Sequence, residues 1–149
     1  MGRKIDKYDI AYKLGQGAMG TVYKGIHEDT QEEVAIKILS EELVNDEEAN
    51  QRFKREIRQA LQLDHPNIIQ SLSSGTFEGR YYYVMEYVRG ITLKELLRSH
   101  GPLNEYQAIE IVLQVLEGLN YASNFGIIHR DIKPDNIMYT SKKVAKISD

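Results

Sequence analysis

Residues 15–37 read GQGAMGTVYKGIHEDTQEEVAIK, and this stretch decides which fold the chain adopts. A glycine-rich turn opens it, a β-branched and aromatic run follows Gly20, and Val34-Ala-Ile-Lys37 forms a second β-rich run. Such residues favour extended strands. A dinucleotide-binding βαβ unit would need a helix to open at Gly20, and the residues there do not favour one. The stretch therefore predicts antiparallel strands joined by turns.

Further strands and one helix surround this hairpin. Strand-like runs occupy residues 10–14, 68–72 and 80–88, and a Ser- and Gly-rich turn separates the last two. Between them, apolar side chains at spacings of three and four mark the buried face of a helix that ends before Pro66. The front of the chain is thus predicted to be a five-stranded antiparallel sheet with one long helix. The apolar face of that helix consists of Ala49, Phe53, Ile57, Ala60 and Leu61.

After a hinge expected at residues 86–90, the pattern changes to helices. Residues 92–95, Thr-Leu-Lys-Glu, have the spacing of a capping box, and Gly101-Pro102 ends the helix that they begin. Asn104 can cap a longer helix that runs to about residue 124. Short strands and loops are expected beyond it. The predicted fold is therefore α+β, with a β-rich front lobe and a helical rear lobe.

The longer of these helices is apolar over an unusually wide arc. At 100° per residue its apolar side chains spread over about 200°, against roughly 100° for a surface helix that packs on one side. Such a helix needs packing on two sides, and we therefore expect the chain to lack part of its fold. The apolar positions are Ala108, Ile109, Ile111, Val112, Leu113, Val115, Leu116, Leu119 and Ala122.

The overall composition is ordinary for a globular domain and excludes several classes of protein. Hydrophobic residues make up 42% and charged residues 28%, which argues against disorder, collagen and coiled coil. A net charge of −3 gives no broad cationic field for nucleic acid, and the absence of cysteine excludes disulfides and thiolate metal sites. No apolar run approaches the roughly 20 residues that span a bilayer, and no secretory signal is visible. We expect a cytoplasmic chain.

Lys37 and Glu56 are candidates for an ion pair between sheet and helix. Strand alternation places Lys37 on the same face as Ala35 and Leu39. Glu56 lies on the inward side of the helix, where a lysine on the facing sheet would offset the cost of burying a carboxylate. The alternatives are a snorkelling lysine at a strand edge and a glutamate at the boundary of the apolar stripe. We expect the pair to matter for positioning rather than for stability.

Residues 129–136, His-Arg-Asp-Ile-Lys-Pro-Asp-Asn, are the most specific string in the chain. They combine a candidate base, Asp131, with a cation at Lys133 and an amide oxygen at Asn136. Asp149 follows further along the chain, and carboxylate and amide oxygens are ligands that Mg²⁺ prefers. His129 by itself is more readily a packed structural histidine.

Together these motifs resemble the protein kinases, specifically the bacterial, eukaryotic-like serine/threonine kinases. Four of them match in order, namely GQGAMGTV, VAIK, the helix glutamate and HRDIKPDN. The resemblance covers the chain from about Tyr8. It implies a protein-kinase-like α+β fold with the ATP-binding N-lobe at residues 8–88. The hinge exit and a partial C-lobe with the catalytic loop would occupy residues 89–149, and residues 1–7 would form an N-terminal extension.

The resemblance also implies a role for each candidate residue. Lys37 would hold the α- and β-phosphates of ATP and be positioned by Glu56, while Asp131 would accept the proton of the substrate hydroxyl. Lys133 matches the serine/threonine branch. The metal-binding residues would be Asn136 and Asp149, with Mg²⁺ as the ion. The remaining positions implied to bind ATP are Leu14, the flap glycines Gly15, Gly17 and Gly20, the adenine neighbours Val22, Ala35 and Met138, the gatekeeper Met85, and the hinge residues Glu86 and Val88.

One departure from the family pattern concerns the residues after Asp149. The family continues there with Phe-Gly, the activation loop and further helices, and Arg130 marks the class in which phosphorylation commonly switches that loop. Because the sequence stops at Asp149, we expect an incomplete catalytic domain that is inactive alone. Its partners would be ATP and a protein substrate with Ser or Thr. Relatives in this group often carry a membrane anchor beyond the kinase.

Two other functions are considered. The chain could be a non-catalytic ATP-binding or protein-interaction fragment, with the apolar helix as a dimer or partner contact. Small-molecule phosphotransferases share the design of the front lobe, but they usually lack the HRD-x-K-P-x-N string. An ATP-dependent serine/threonine protein kinase is the function that the sequence favours.

Overall fold

The computed structural model describes residues 2–129 and 131–148. The expectations for Arg130 and Asp149 therefore lie outside the described residues. The chain divides into two compact units. The first comprises Met1–Gln62 and Ser71–Tyr87, and the second comprises Leu63–Gln70 and Val88–Asp149.

A six-stranded antiparallel sheet dominates the first unit. Its strands are β1 (Lys4–Ile5), β2 (Tyr8–Gln16), β3 (Gly20–His27), β4 (Glu33–Leu39), β5 (Ser71–Phe77) and β6 (Arg80–Glu86). Their order across the sheet is β1-β2-β3-β4-β6-β5. The two-residue β1 was not anticipated, and it adds a buried Ile5 to the sheet's core. Four of the other five correspond to strands expected from the sequence, and β5 differs from its expected position.

The prediction for β5 was wrong in its position. The pattern placed a strand at residues 68–72 and a turn in the Ser- and Gly-rich segment, whereas β5 runs through that segment to Phe77. The turn lies instead at Glu78 and Gly79, whose φ angles are 50° and 75°. Two successive left-handed residues make the tight turn that suits a two-residue hairpin. Serines and glycine are therefore tolerated in β5, which is an edge strand of the sheet.

The helix α1 (Glu47–Gln62) packs on one face of this sheet. Its contacts on the sheet include Leu39 and Tyr83. Leu61 was expected on the buried face but is 40% exposed, so that expectation was wrong. At 3.6 residues per turn, Leu61 is rotated by about 80° from Phe53 and leaves the stripe. The buried residues of α1 are Ala49, Phe53 and Ile57.

The residues of β4 alternate between two hydrophobic clusters on opposite faces of the sheet. Val34, Ile36 and Ile38 belong to one cluster, and Leu39 belongs to the cluster that contains α1. Successive side chains on a strand point to opposite faces, so Lys37 shares the face of Leu39. This confirms the face expected for Lys37.

The second unit contains two helices and a small sheet. The helices are α2 (Leu93–His100) and α3 (Glu105–Ser123), and the strands are β7 (Gly90–Thr92), β8 (Ile137–Thr140) and β9 (Ala145–Ile147). The expected helix starts are confirmed: the Thr92 side chain accepts from the Glu95 amide at 3.1 Å, and that of Asn104 accepts from the Gln107 amide at 2.9 Å. Such caps satisfy amides that have no partner within the helix.

The apolar arc of α3 is only partly covered. Ile111, Val115 and Ala122 are buried, and the first two pack in a cluster with residues of β8 and β9. On its other side, four large apolar side chains are more than half exposed: Ile109, Val112, Leu113 and Leu116. Within residues 2–129 and 131–148, no helix combines the length and the apolar character that a bilayer crossing requires.

Candidate functional site

The structure contains the ion pair expected between Lys37 and Glu56. The Lys37 Nζ atom on β4 donates to Glu56 Oε1 on α1 at 2.7 Å. The two side chains are 13% and 30% exposed, so the pair is largely shielded from water. Packing determines the orientation of both residues, because Lys37 lies on the helix-facing side of the sheet and Glu56 lies three residues after the buried Phe53, on the same side of α1. The pair therefore fixes an ammonium group at a defined point on the sheet.

A third side chain, which sequence reasoning missed, contacts the same carboxylate. The hydroxyl of Tyr83 on β6 donates to Glu56 Oε1 at 2.7 Å. Tyr83 is the direct cross-strand partner of Lys37, so two adjacent strands each supply a donor to one oxygen. Strand alternation places Tyr83 and Met85 on the same face of β6, and this signal could have identified Tyr83. Because tyrosine occupies three successive positions from Tyr81, the sequence alone did not indicate which ring faces the helix.

The three glycines of the flap differ in what the fold requires of them. A Cβ atom on Gly20 would lie 2.3 Å from the main-chain oxygen of Ile38, so the close approach of β3 and β4 requires glycine there. A Cβ on Gly15 would meet no described heavy atom within 4 Å, and one on Gly17 would meet only the Gly20 oxygen at 4.0 Å. Neither packing nor a left-handed φ explains the glycines at 15 and 17.

The remaining positions implied to bind ATP occur in both units. In the first unit, Val22 on β3 pairs with Lys37, and Ala35 on β4 pairs with Met85 on β6, so these residues lie on three adjacent strands. In the second unit, Met138 lies on β8. Leu14 lies within β2, two residues before its end, whereas Glu86 is the last residue of β6 and Val88 lies where the second unit resumes.

The candidate catalytic loop forms a connected set of contacts in the second unit. Asn136 Nδ2 donates to the main-chain oxygen of Asp131 at 2.9 Å and to its Oδ2 at 3.2 Å. Lys133 Nζ lies 3.3 Å from the same Oδ2. The side chains of Asp131 and Lys133 are 61% and 50% exposed, which leaves both accessible to a substrate. The structure thus brings together three residues that the sequence singled out.

His129 makes contacts that fit a structural role. Its Nδ1 accepts from the Asp131 amide at 3.1 Å, which places the proton of a neutral ring on Nε2. Nε2 lies 2.7 Å from the main-chain oxygen of Ser148 and can donate to it. The ring therefore connects the candidate catalytic loop to the segment that follows β9.

A network of two amide side chains, also missed, holds β9 in place. Asn67, which is 6% exposed, donates to the Ala145 oxygen at 2.9 Å and to Gln114 Oε1 at 3.0 Å. Gln114 Oε1 also accepts from the Ala145 main-chain amide at 2.8 Å. The Ile147 main-chain amide donates to the main-chain oxygen of Asn67 at 2.9 Å. Asn67 follows His-Pro, where the sequence predicts only that a helix ends before Pro66. Its side chain instead connects this segment with α3 and β9.

Of the two proposed metal ligands, the described part of the chain contains Asn136. Asn136 uses Nδ2 for both of its hydrogen bonds to Asp131. The amide oxygen of Asn136 is therefore the atom suited to a hard cation. Among the described residues, no group of three or more His, Asp or Glu side chains could hold a metal ion. Mg²⁺ is commonly bound through one or two protein oxygens together with substrate phosphates, and such a sparse ligand set fits it.

Comparisons with known proteins identify the family. The family model for the protein kinase domain matches residues 8–149. The probable serine/threonine-protein kinase PknB of Lactococcus lactis is 42% identical over 147 residues, covering 97% of this chain and 23% of that protein. The serine/threonine-protein kinase PrkC of Bacillus subtilis is 41% identical over 150 residues, covering 100% of this chain and 23% of its own length. The chain thus spans about a quarter of the length of these relatives.

Solved structures confirm the fold. A crystal structure of the Mycobacterium tuberculosis PknI kinase domain matches with a TM-score of 0.83 and 33% identity, covering 99% of this chain and 59% of that one. A second crystal structure of the same domain matches with a TM-score of 0.79 and 33% identity, covering 99% and 61%. Both bear out the α+β fold expected from the ordered motifs. This chain belongs to the protein kinase domain family, and its named relatives are serine/threonine-protein kinases.

Proposed function

We propose that this chain supplies the ATP-binding and catalytic-loop part of a serine/threonine protein kinase. Such an enzyme transfers the γ-phosphoryl group of ATP to a Ser or Thr hydroxyl of a protein. The observation that carries the proposal is the 2.7 Å contact between Lys37 and Glu56, in a chain whose named relatives are serine/threonine-protein kinases. The lobes are assigned to residues 8–88 and 89–149, and residues 1–7 form an extension that pairs with β2 through Lys4 and Ile5.

The phosphates of ATP are assigned to Lys37 and to the glycine turn. Glu56 holds the ammonium group at a fixed point before nucleotide arrives, and such preorganised charge is effective because it needs no rearrangement. Gly15 and Gly17 support this assignment, because nothing described within the chain fills the space that their missing side chains leave. Main-chain amides at such positions can approach phosphate oxygens closely. Gly20 is included in the flap, although strand packing already accounts for it.

The adenine ring is assigned to residues near the hinge. Val22, Ala35 and Met138 would contact its faces, and Met85 would occupy the gatekeeper position. The main chain from Glu86 to Val88 would bond to the edge of the base, with Leu14 covering it from the glycine turn. Val22, Ala35 and Met85 occupy neighbouring strands of one sheet, which supports a common role.

The transfer step is assigned to the loop that contains Asp131. Its exposed carboxylate would accept the proton of the substrate hydroxyl, which raises the nucleophilicity of the oxygen as it attacks the γ-phosphorus. Lys133, 3.3 Å from Asp131 Oδ2, would stabilise negative charge on the transferring group. Asn136 contacts Asp131 through Nδ2, and its amide oxygen would be available to hold Mg²⁺, for which Asp149 is the other proposed ligand. When bound, Mg²⁺ neutralises charge on the phosphates.

We also propose that these 149 residues transfer phosphoryl groups poorly by themselves. They correspond to 59% of the length of the matched PknI kinase-domain chain. In-line transfer depends on the positioning of both ATP and the protein substrate, and no residue here is assigned to binding the protein. A second candidate function is therefore a nucleotide-binding or interaction module without transfer, and the exposed apolar side chains of α3 favour it.

The experiment that tests transfer compares two carboxylates of the same loop. Asp131→Ala and Asp135→Ala are made in the longest gene product that contains this sequence, and transfer of labelled phosphate from ATP to Ser- or Thr-containing peptides is measured. Loss of a general base is expected to lower kcat by about 10²- to 10⁴-fold in Asp131→Ala. Asp135, whose carboxylate lies 3.4 Å from Lys94, serves as the control and should retain nearly full activity. An Asp131→Ala enzyme with wild-type turnover would overturn the assignment.

A further inference from the structure

We propose that Tyr83 is a positioning residue, whose hydroxyl holds Glu56 and with it α1 against the sheet independently of Lys37. The observation behind this inference is the 2.7 Å hydrogen bond from the Tyr83 hydroxyl to Glu56 Oε1, the same oxygen that accepts from Lys37. The inference rests on the proposed function where it concerns nucleotide, and on geometry alone where it concerns the helix.

The Tyr83 ring is held rigidly enough to present its hydroxyl at a fixed point. Tyr83 is 3% exposed, and its ring packs on Phe53 of α1 with centroids 5.8 Å apart. Phe53 is fully buried in the same cluster, which also contains Leu39 of β4. A buried aromatic ring has few alternative rotamers, so the hydrogen bond costs little additional conformational entropy. The acceptor is a carboxylate, which makes this a charge-assisted bond.

The two donors to Glu56 differ in what else they can do. Lys37 has three N–H donors, so its ammonium can donate to the phosphates of ATP while it stays beside Glu56. Tyr83 has one O–H donor on a packed ring, and that donor is directed at Glu56 alone. Its bond to Glu56 therefore persists while Lys37 is shared with the nucleotide. By this argument Tyr83 maintains the helix in the position that presents Glu56 to Lys37.

The neighbouring Tyr82 provides a matched control on the same strand. It is 4% exposed, and its hydroxyl donates to Asp6 Oδ2 at 2.6 Å, so it too is a buried tyrosine bonded to a carboxylate. Strand alternation places Tyr82 on the opposite face of the sheet, in the cluster that contains Ile36 and Val84. Removing either hydroxyl deletes the same chemical group, but only the hydroxyl of Tyr83 contacts α1.

The hydrogen bond from Tyr83 to Glu56 is called the tether. Hydrogen exchange of α1 in the 149-residue chain, measured without nucleotide, tests whether the tether holds the helix. Tyr83→Phe retains the ring and is expected to raise amide exchange around residues 53–57 by about tenfold, the effect of losing a bond to a charged group. Lys37→Met alone should raise it less than the double variant Lys37→Met/Tyr83→Phe. Tyr82→Phe should leave α1 exchange unchanged. If Tyr83→Phe and Tyr82→Phe give the same α1 exchange, or if Lys37→Met alone reproduces the double variant, the inference is wrong.

Titration with Mg²⁺-ATP then tests whether the tether affects nucleotide binding, separately from whether the chain binds nucleotide at all. Tyr83→Phe should raise the Kd several-fold, while Tyr82→Phe should change it less than twofold. If the wild-type chain binds and these variants do not differ, Tyr83 does not position Glu56 for nucleotide. If the wild-type chain does not bind, the proposed function fails, and the exchange experiment still decides whether the tether exists. Should Tyr83→Phe fail to fold, Glu56→Ala, which removes the acceptor of both donors, is compared with Lys37→Met, and it should raise α1 exchange further; equal α1 exchange in these two variants would contradict the tether.

Discussion

At the residue scale, the glycines of the flap separate the demands of the fold from those of a ligand. Gly20 allows the main chains of β3 and β4 to approach, and any side chain there would displace the Ile38 carbonyl. Gly17 has open space around its Cα within the described chain. The two positions therefore carry the same residue for different physical reasons.

The first prediction concerns Gly20→Ala and Gly17→Ala. Gly20→Ala should lower the free energy of unfolding by about 1–3 kcal/mol because the added methyl overpacks a strand pair. Gly17→Ala should change it by less than about 0.5 kcal/mol, as expected where no contact is altered, but should weaken Mg²⁺-ATP binding. Urea denaturation and calorimetric titration measure the two effects. Equal destabilisation by both substitutions would contradict the distinction.

A second residue-scale prediction concerns the buried amide of Asn67. Asn67→Ala removes two donated hydrogen bonds and leaves the Ala145 oxygen buried with one partner fewer. Leaving buried polar groups unsatisfied should lower the free energy of unfolding by about 1–3 kcal/mol. Asn120→Ala, at an exposed position of α3, is the control and should lie within about 0.5 kcal/mol of wild type. Similar unfolding curves for the two variants in urea would show that the amide network contributes nothing.

A third residue-scale prediction uses the alkaline titration of Tyr82. Burial and, secondly, its hydrogen bond to Asp6 raise the pKa of Tyr82 well above the ordinary tyrosine value near 10. The folded state therefore retains a proton that the unfolded state loses, so the stabilisation is complete below pH 10 and declines as pH rises above it. The free energy of unfolding of Tyr82→Phe should fall less steeply than that of wild type above about pH 10. Identical slopes in denaturation series across that range would contradict this pKa assignment.

At the element scale, local signals in the sequence predicted most of the elements and the starts of two helices. The starts of α2 and α3 were predictable because the capping side chains of Thr92 and Asn104 lie within three residues of the amides they bind. The hairpin of β2 and β3 was predictable because a glycine-rich turn is followed directly by β-branched and aromatic residues. Such elements depend on neighbours in sequence, and sequence patterns contain that information.

Elements that depend on distant partners were not predictable in the same way. The two-residue β1 exists because Lys4 and Ile5 pair with β2 and Ile5 enters the sheet's core. The position of β5 depends on its register with β6 and on the left-handed backbone conformation of residues 78 and 79. Glutamate has no intrinsic preference for that conformation, so the sequence did not indicate a turn at Glu78. In both cases tertiary pairing outweighs local preference.

The candidate site shows the same division between local and distant information. Asp131, Lys133 and Asn136 lie within one short loop, and the sequence placed them together correctly. The Lys37–Glu56 contact was predictable from strand alternation and helix periodicity combined. Tyr83 and Asn67 were not anticipated, because their hydrogen bonds join residues 27 and 78 positions apart. Strand alternation indicates the face of Tyr83, but its hydrogen-bond partner on α1 follows only from the packing of the two elements in three dimensions.

At the scale of the whole molecule, the order of the motifs carried the assignment further than composition could. A net charge of −3 and average hydrophobicity exclude classes of protein without selecting one. The glycine turn, the strand lysine, the helix glutamate and the Asp131 loop occur in one order along the chain, and the family match extends over residues 8–149. Each motif alone has structural alternatives, whereas the ordered set has one consistent interpretation.

The central claim is that Lys37, held by Glu56, binds the phosphates of ATP. Calorimetric titration of the 149-residue chain with Mg²⁺-ATP tests it most directly, using Lys37→Met and, as a control, Lys142→Met at an exposed position. Loss of a charged contact should raise the Kd of Lys37→Met by about tenfold or more, while Lys142→Met should bind as wild type does. Equal affinity of wild type and Lys37→Met, or no binding by any of the three proteins, would contradict the claim.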